Sequence, residues 1–363
     1  MTQTACPTAS PANYRLLLIA PEEVCGENVA DIADYLALNA YDLDSIQPST
    51  GTGHQSRSPV QRGFGGEVAG VDGSRGWAAT FNAEVNIVED QAKQAMALLL
   101  LASGLQGTLD TAVGQWLFAP YNGRSLSTAP AAFSSGVINP FALSMADVDR
   151  GGVVRRIRGV TGSPVFNLTV GERVELAFGG VGLLVNRSIV SIGESYDGQD
   201  FADLPKAGGT LPLVLRECTL SFEGEGPNDI PINLSTMSID LNANVEQPAD
   251  ARPGGNGLGV VLPSYPEGPR VSYTLAESVQ NRAAVMNRIL NGETFALQIR
   301  METEDGLGLE FDFPRLQEFE PRTVEEQANK RMHAVTAKAV ISDDAVANDA
   351  FAITLDYKPQ SGS

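Results

Sequence analysis

Residues 294–313 read TFALQIRMETEDGLGLEFDF, and two alternations meet in them. Phe295, Leu297, Ile299 and Met301 fall on one side of an extended chain. Leu307, Leu309, Phe311 and Phe313 fall on one side of its return, and Asp305-Gly306 supplies the turn. A period of two with a wet opposite side is the mark of a half-buried antiparallel pair, so the chain is expected to be mainly β.

The same pattern recurs on either side. Residues 13–20 form an apolar run expected to be a buried strand, and residues 77–88 alternate Ala79, Phe81, Ala83, Val85 and Ile87 against Thr80, Asn82, Glu84 and Asn86. Residues 21–43 are acidic with helix-compatible spacing. Residues 165–170, a Gly171-Glu172 turn and residues 173–178 predict a first hairpin, and residues 332–341 and 351–357 predict late strands.

Two helices interrupt the strands. Glu89 and Asp90 occupy a first turn, Ala92, Ala95, Met96 and Leu99 line one stripe, and Gly104 supplies the stop. Leu98, Leu100 and Leu101 widen that stripe so far that cover is expected on two sides, from the helix's own sheet and from a neighbouring subunit. Val279, Ala283, Met286 and Leu290 predict a second helix over 277–290, ended by Asn291-Gly292. The stop glycines lie 292 − 104 = 188 positions apart, close to half of the 363 residues. Strand, helix, hairpin and strands are therefore read twice, with a boundary between 1–200 and 201–363.

Composition narrows the function. There are 44 acidic and 25 basic side chains, a formal charge of −19, which argues against a surface that grips nucleic acid by neutralising phosphate. The longest apolar run, residues 95–102, is far short of the roughly 20 needed to span a bilayer, so no membrane is expected. The opening MTQTACPTASPANYRLLLIAPEE lacks a basic n-region and a long apolar core, so synthesis in the cytosol is expected.

Chemistry-bearing motifs fail one by one. Cys6, Cys25 and Cys218 lack C-x-x-C spacing, and His54 and His333 sit in unlike contexts, so no metal site is legible. Cys218 reads as a buried inert thiol, His54 as solvated, and His333 as a structural partner in a strand. Residues 193–197 approach a nucleophile elbow, but Asp197 stands where glycine is needed and no helix pattern follows. Residues 254–259 are glycine-rich without the dinucleotide order. Asp240, Asn242, Asn244 and Glu246 alternate as calcium ligands would, but Val245 and Ala251 occupy the positions of the obligatory glycine and glutamate. Strand alternation is the expected reason. Asp343-Asp344 are mere sequence neighbours. No catalytic residue and no cofactor is expected.

Residues 45–76 hold eight glycines, several serines, Arg57, Arg62 and Arg75. Such a long loop is either a surface excursion or an arm that orders against a partner, and Val60 and Phe64 ask for burial. Nine acids between positions 301 and 326 face only Arg315 and Arg322. Alternation puts Glu310 and Asp312 opposite the apolar side, on either the wall of a bore or an ordinary solvated face. Arg155, Arg156 and Arg158, with Arg150, form the basic exception, read as pairing with a neighbour's carboxylates.

The order of these elements resembles the major tail tube proteins of long-tailed bacteriophages, in the longer type with two tube-like halves on one chain. The resemblance covers residues 14–357. It is carried by the Gly-rich segment 63–76 before the strand at 77–87, the Leu-rich helix with ASGL at 102–105, WLFAP at 116–120, VRRIRGVTG at 154–162 leading into the hairpin at 166–178, and residues 237–245. It implies two similar β-sandwich or barrel halves, each with a flanking helix, in rings that stack into a tube for genome passage. The arm at 45–76, with Val60, Arg62, Phe64 and Arg75, would reach the next ring. Two halves per chain imply a trimeric, pseudo-hexameric ring, with a hexamer as the lesser option. The resemblance also implies a place in the virion tail, other tail proteins such as tape measure and tail terminator as partners, and DNA only in transit through a lumen to which Glu310 and Asp312 would contribute. The competing expectations are another virion component, such as a capsid decoration or baseplate protein, and a carbohydrate-binding or hydrolytic β-protein.

Overall fold

The computed structural model describes residues 15–23, 34–38, 40–42, 46–48, 54–57, 68–72, 76–123, 126–127, 136–149, 153–184, 190–191, 195–196, 199–200, 204, 213, 219–222, 234–246, 260–276, 290–303, 305–319, 323–327, 330–342 and 349–357. The chain opens with β1 (Arg15–Pro21), β2 (Leu36–Leu38), β3 (Ala40–Asp42), β4 (Ile46–Pro48), β5 (His54–Arg57) and β6 (Val68–Asp72). Then come β7 (Gly76–Glu84), the helix α1 (Asp90–Ala102), β8 (Leu105–Asp110), β9 (Gln115–Pro120) and β10 (Gly136–Ile138). β11 (Leu143–Asp149) leads into the long β12 (Val153–Thr169) and β13 (Glu175–Leu184), followed by the short β14 (Val190–Ser191), β15 (Ser195–Tyr196) and β16 (Gln199–Asp200). The last strands are β17 (Thr219–Phe222), β18 (Leu234–Asp240), β19 (Arg270–Ala276), β20 (Thr294–Glu302), β21 (Gly308–Glu318), β22 (Thr323–Gln327), β23 (Lys330–Ala339) and β24 (Ala352–Asp356).

The fold is mainly β. Twenty strands join one antiparallel network, and β5–β6 and β15–β16 stand apart as two-stranded pairs. One run of neighbours is β7-β13-β12-β18-β19-β23, which reaches β21 through Leu316↔Ala339. A second run, β17-β20-β21-β24-β9-β8-β10, is seven strands wide. Ladders tie residues before and after position 200 together at two places, β12 with β18 and β9 with β24.

Alternation explains most elements. In β20 the odd positions Phe295 to Met301 are buried, and in β21 Leu309, Phe311 and Phe313 are buried while Glu310 and Asp312 reach outward. The buried faces of both runs meet in one core, where Phe166 of β12 and Phe311 of β21 make an edge contact at 4.9 Å and Phe81 stacks on Phe178 at 5.2 Å. Each such ring contributes on the order of 2–3 kcal/mol by leaving water.

Strand β12 is 17 residues long because a bulge lets it bend. Its register on β13 slips between Arg158 and Thr161, and Gly159 sits at φ +63°, where a Cβ would lie 2.3 Å from Val260. The slip keeps Ile157 before it and Phe166 after it on the buried side, although their positions differ in parity. The fully buried Glu22 carboxylate holds the bulge, its Oε1 accepting the Gly159 amide at 2.6 Å and the Ser144 hydroxyl at 3.0 Å.

The structure changes several expectations. Residues 36–38 and 40–42 are strands, where a helix was expected over 21–43, because their backbones pair onto β1 and β7. The segment 45–76 has structure of its own: β4 pairs with β7, and β5 with β6 makes a separate hairpin. Val60, Arg62, Phe64 and Arg75 lie outside the described residues. Helix α1 needs no neighbour's cover, since Ala95 through Ala102 are all buried within the single chain, against β1, β2, β8 and β12. Asp240, Asn242, Asn244 and Glu246 do not share a strand face. β18 stops at Asp240, whose Oδ1 accepts the Asn242 amide at 2.7 Å, and Asn242 turns the chain at φ +53°.

Of the second helix expected over 277–290, residues 277–289 lie outside the described residues; Leu290 and Asn291 are helical and Gly292 follows at φ +66°, as Gly104 follows α1 at φ +82°. Cys6, Cys25, Cys218, Gly254 to Gly259 and Asp343-Asp344 also lie outside them. Residues 195–196 pair with 199–200 as a minimal hairpin. The backbone of His54 lies in β5, and that of His333 lies in β23 opposite Leu275 and Val324. No helix among the described residues is long and apolar enough to cross a membrane.

Segment 260–269 closes over the end of α1. The Tyr265 hydroxyl donates to the Ser103 carbonyl oxygen, and the Pro263 carbonyl oxygen passes where a Cβ on Gly104 would be 2.7 Å away. Burial pushes the Tyr265 phenol well above its ordinary value of 10.0. A phenol that holds its proton more tightly when folded contributes its full stability below about pH 10, and that contribution declines as pH rises further. Tyr265→Phe is expected to lower stability by about 1 kcal/mol at neutral pH. It is also expected to shrink the alkaline fall seen in denaturation midpoints measured from neutrality upward; an unchanged alkaline slope would contradict this.

Candidate acidic sheet face

Antiparallel register lines up outward side chains across the seven-stranded run. One row passes through Val137, Thr108, Leu117, Thr354, Glu310 and Arg300 to the backbone position of Thr219. A neighbouring row holds Asp110, Gln115, Asp356, Gly308 and Glu302, and another places Ala352, Asp312 and Gln298 side by side. The face thus gathers five carboxylates, of Asp110, Glu302, Glu310, Asp312 and Asp356; three of them, Glu302, Glu310 and Asp356, surround the Arg300 guanidinium, while Asp110 Oδ1 accepts the Ala112 and Val113 amides of its own turn. Leu117 and Val137 extend the row into solvent at 46% and 60% exposure, Val137 on the outermost strand.

Arg300 organises the centre. Its Nε donates to Glu302 Oε1 at 2.6 Å, its NH1 to Glu310 Oε2 at 3.2 Å, and its NH2 to Asp356 Oδ2 at 2.8 Å. Gln298 Nε2 donates to the other Glu310 oxygen at 2.8 Å. Asp356 is 0% exposed and also accepts the Gly308 amide at 2.9 Å and Gln115 Nε2 at 2.8 Å. A Cβ at position 308 would come within 2.8 Å of both Arg300 and Asp356, so glycine there admits the ion pair. Burial pulls the Arg300 pKa down, but its hydrogen bonds to Glu302, Glu310 and Asp356 outweigh that and leave it above the ordinary value. The guanidinium is permanently charged, and the carboxylates around it exceed it in number.

Glu310 and Asp312 therefore share one outward face, as alternation in the sequence indicated. Arg300 lies on β20, within the hairpin that alternation gave, but Asp356 and Asp110 were not revealed as companions, because β24 and β8 come from distant parts of the chain. The only early signal was Asp356 following an apolar alternation at 351–355.

The arginine cluster lies elsewhere. Arg155 sits at the register position opposite Asp147, Arg156 opposite Ala146, and Arg158 opposite Leu183, all within the paired interior of β12. Arg156 and Arg158 are half-buried with their Nε atoms out of contact with solvent.

The run β7-β13-β12-β18-β19-β23 presents a different outward surface. Asn167, Ser238, Ser272 and Thr336 form one row and Thr169, Thr236 and Thr274 another. The hydroxyls bond along the rows, Thr236 to Thr274 at 3.2 Å and Ser238 to Asn167 at 3.0 Å. The first row runs on to Glu175 of β13 and Glu84 of β7, to both of which Arg173 donates, so this surface also carries charge at its β7 margin. Among the described residues, no group of three or more His, Cys, Asp or Glu is arranged to hold a metal ion. No protein-family model matches the chain, and no curated protein matches it.

Proposed function

We propose that the chain is the structural subunit of a bacteriophage tail tube, whose copies join sheet edge to sheet edge into rings with the acidic face lining the bore. The observation that carries this reading is the seven-stranded run itself. Among the described residues, β10 pairs only with β8 and β17 only with β20, so neither outer margin has a second strand among them, while the face between them is acidic. Open margins are an aggregation hazard that a closed ring removes. An acidic bore repels phosphate, which DNA presents at one charge per about 1.7 Å, so the polymer slides without being held.

Strand counting favours three copies. Three would supply about 21 strands, which at roughly 4.8 Å spacing and tilts up to about 40° close at about 30–40 Å between backbones. Six would close at about 65–85 Å, far wider than one duplex requires. In this reading the chain has two tube-like halves, 1–200 and 201–363. The segment 45–76 reaches the next ring, and Arg155, Arg156 and Arg158 meet carboxylates of a neighbour. The assembled tail is the location, tape measure and tail terminator proteins are the partners, and the chain has no enzymatic role.

Negative-stain electron microscopy of the purified protein tests it. Stacked rings with a central hole are expected, and Val137→Lys, which puts a charge on the free margin, should reduce ring formation at least tenfold by particle count. A monodisperse monomer at high concentration, or rings unaffected by the lysine, would count against the reading.

A further inference from the structure

The last strand of the chain occupies the middle of the seven-stranded run. Four residues of β24 pair with β21 (Ala352↔Asp312 to Leu355↔Leu309) and four with β9 (Ile353↔Phe118 to Asp356↔Gln115). Without it, β10-β8-β9 has no strand partner on the side of β21 among the described residues. The strand is read along its whole length. Phe351, Ile353 and Leu355 enter the core, with the Phe351 ring 5.7 Å from Tyr265 and 6.3 Å from Phe313. The Asp356 carboxylate takes three donors. The Tyr357 amide donates to the Gly114 carbonyl, its own carbonyl oxygen accepts from buried Lys93 Nζ at 3.0 Å, and its ring lies 5.7 Å from Trp116.

The connection to this strand is far longer than its path. β23 and β24 lie on the same edge of β21, at Leu316↔Ala339 and Asp312↔Ala352. That step is about 14 Å, whereas residues 340–351 can span roughly 40 Å. Main-chain ladders and apolar pockets for alternate side chains are how sheets bind extended peptides, and here the Arg300–Asp356 contact adds a charged clamp.

We propose that the groove between β9 and β21 is a peptide-binding site in its own right, whose ligand is an extended segment with three alternating apolar residues followed by Asp-Tyr. The chain's own C-terminal segment fills it, and an equivalent segment supplied separately can replace it. This goes beyond the tube reading and does not need it to be true.

The test is to place a specific protease site within residues 343–348 of the full chain, cleave the folded protein, and follow the fragment. Co-elution of the fragment on size exclusion at micromolar concentration is expected, as is uptake of a fluorescent peptide of residues 349–363, read by anisotropy. The same peptide with Asp356→Ala should bind at least tenfold more weakly. Loss of the fragment without peptide uptake, or equal binding of the wild-type, Asp356→Ala and scrambled peptides, would overturn the proposal. Should cleavage precipitate the protein, hydrogen exchange on the intact chain decides. Amides of Ile353 and Leu355 should be at least tenfold less protected than those of Ile299 in β20 and Phe311 in β21, and equal protection would refute separability. Failure to form rings leaves all these readouts intact and bears on the tube reading alone.

Discussion

Replacing Arg300 by leucine is expected to lower the unfolding free energy by about 2–4 kcal/mol, the largest loss from any single polar substitution on the acidic face. Asp356 is fully buried, and Arg300 is its only cationic partner among the described residues. Removing the guanidinium leaves a carboxylate facing Glu310 and Glu302 with two neutral donors, the Gly308 amide and Gln115 Nε2. Breaking a fully buried pair costs about 3–5 kcal/mol, and the 26% exposure of the Arg300 side chain reduces that through solvent screening. Pairing the change with Asp356→Leu should recover part of the loss, because no buried charge is then left alone. Glu302→Gln, at the exposed end of the same network, should cost no more than about 1 kcal/mol. Urea denaturation midpoints for the four proteins check this. If Arg300→Leu and Glu302→Gln cost the same, the ion pair is not what holds the C-terminal strand.

What could be read in advance followed the reach of each physical signal. Periodicity is local, so α1 and β20 were legible nearly to their ends, while β7 stops at Glu84, short of the expected 88, and β21 runs to Glu318, past the expected 313. Gly104, Gly171, Gly292 and Gly306 were legible as stops and turns, and all four have positive φ. Pairing is not local. Nothing within residues 351–357 says that this strand lies between β9 and β21, over 230 positions away from one partner, so the centre of the acidic face stayed hidden while Glu310 and Asp312 did not. Helix α1 was read correctly as too apolar for one sheet face, yet the inference of a neighbouring subunit failed. β1 and β2, one of them in a stretch of helical spacing, supply the second cover. The Asp240 to Glu246 alternation misled because alternation alone does not register a turn made by an Asx side chain bonding its own backbone. The bulge at Gly159 is a third case, since a change of parity within one long strand appears in the sequence only as a glycine among arginines.

Reversing charge on the acidic face should turn a surface that repels DNA into one that holds it. Glu302 is exposed and Asp312 half-buried; substituting both by lysine removes the Glu302–Arg300 bond but keeps both partners of the Arg300–Glu310 and Arg300–Asp356 contacts. Each chain changes by four charge units on one face, and a ring of three by twelve. Phosphate contacts release counterions, so the logarithm of the binding constant falls with that of salt at a slope of about −0.9 per contact. Two lysines on each of three copies, about six contacts, would give a slope near −5 and a drop in affinity of roughly a thousandfold between 50 and 200 mM salt. The unmodified protein is expected to show no measurable affinity for short duplex DNA by fluorescence anisotropy in the same range. Glu172→Lys with Glu293→Lys makes an equal change of charge at exposed positions outside the seven-stranded face. If net charge alone governs DNA binding, this control will bind as well as the first variant. If the face is the bore, the control should bind at least tenfold more weakly in the assembled state, and only the Glu302→Lys, Asp312→Lys tubes should retain DNA of a length that must thread the hole. Equal retention by both variants would remove the acidic face from the wall of the lumen.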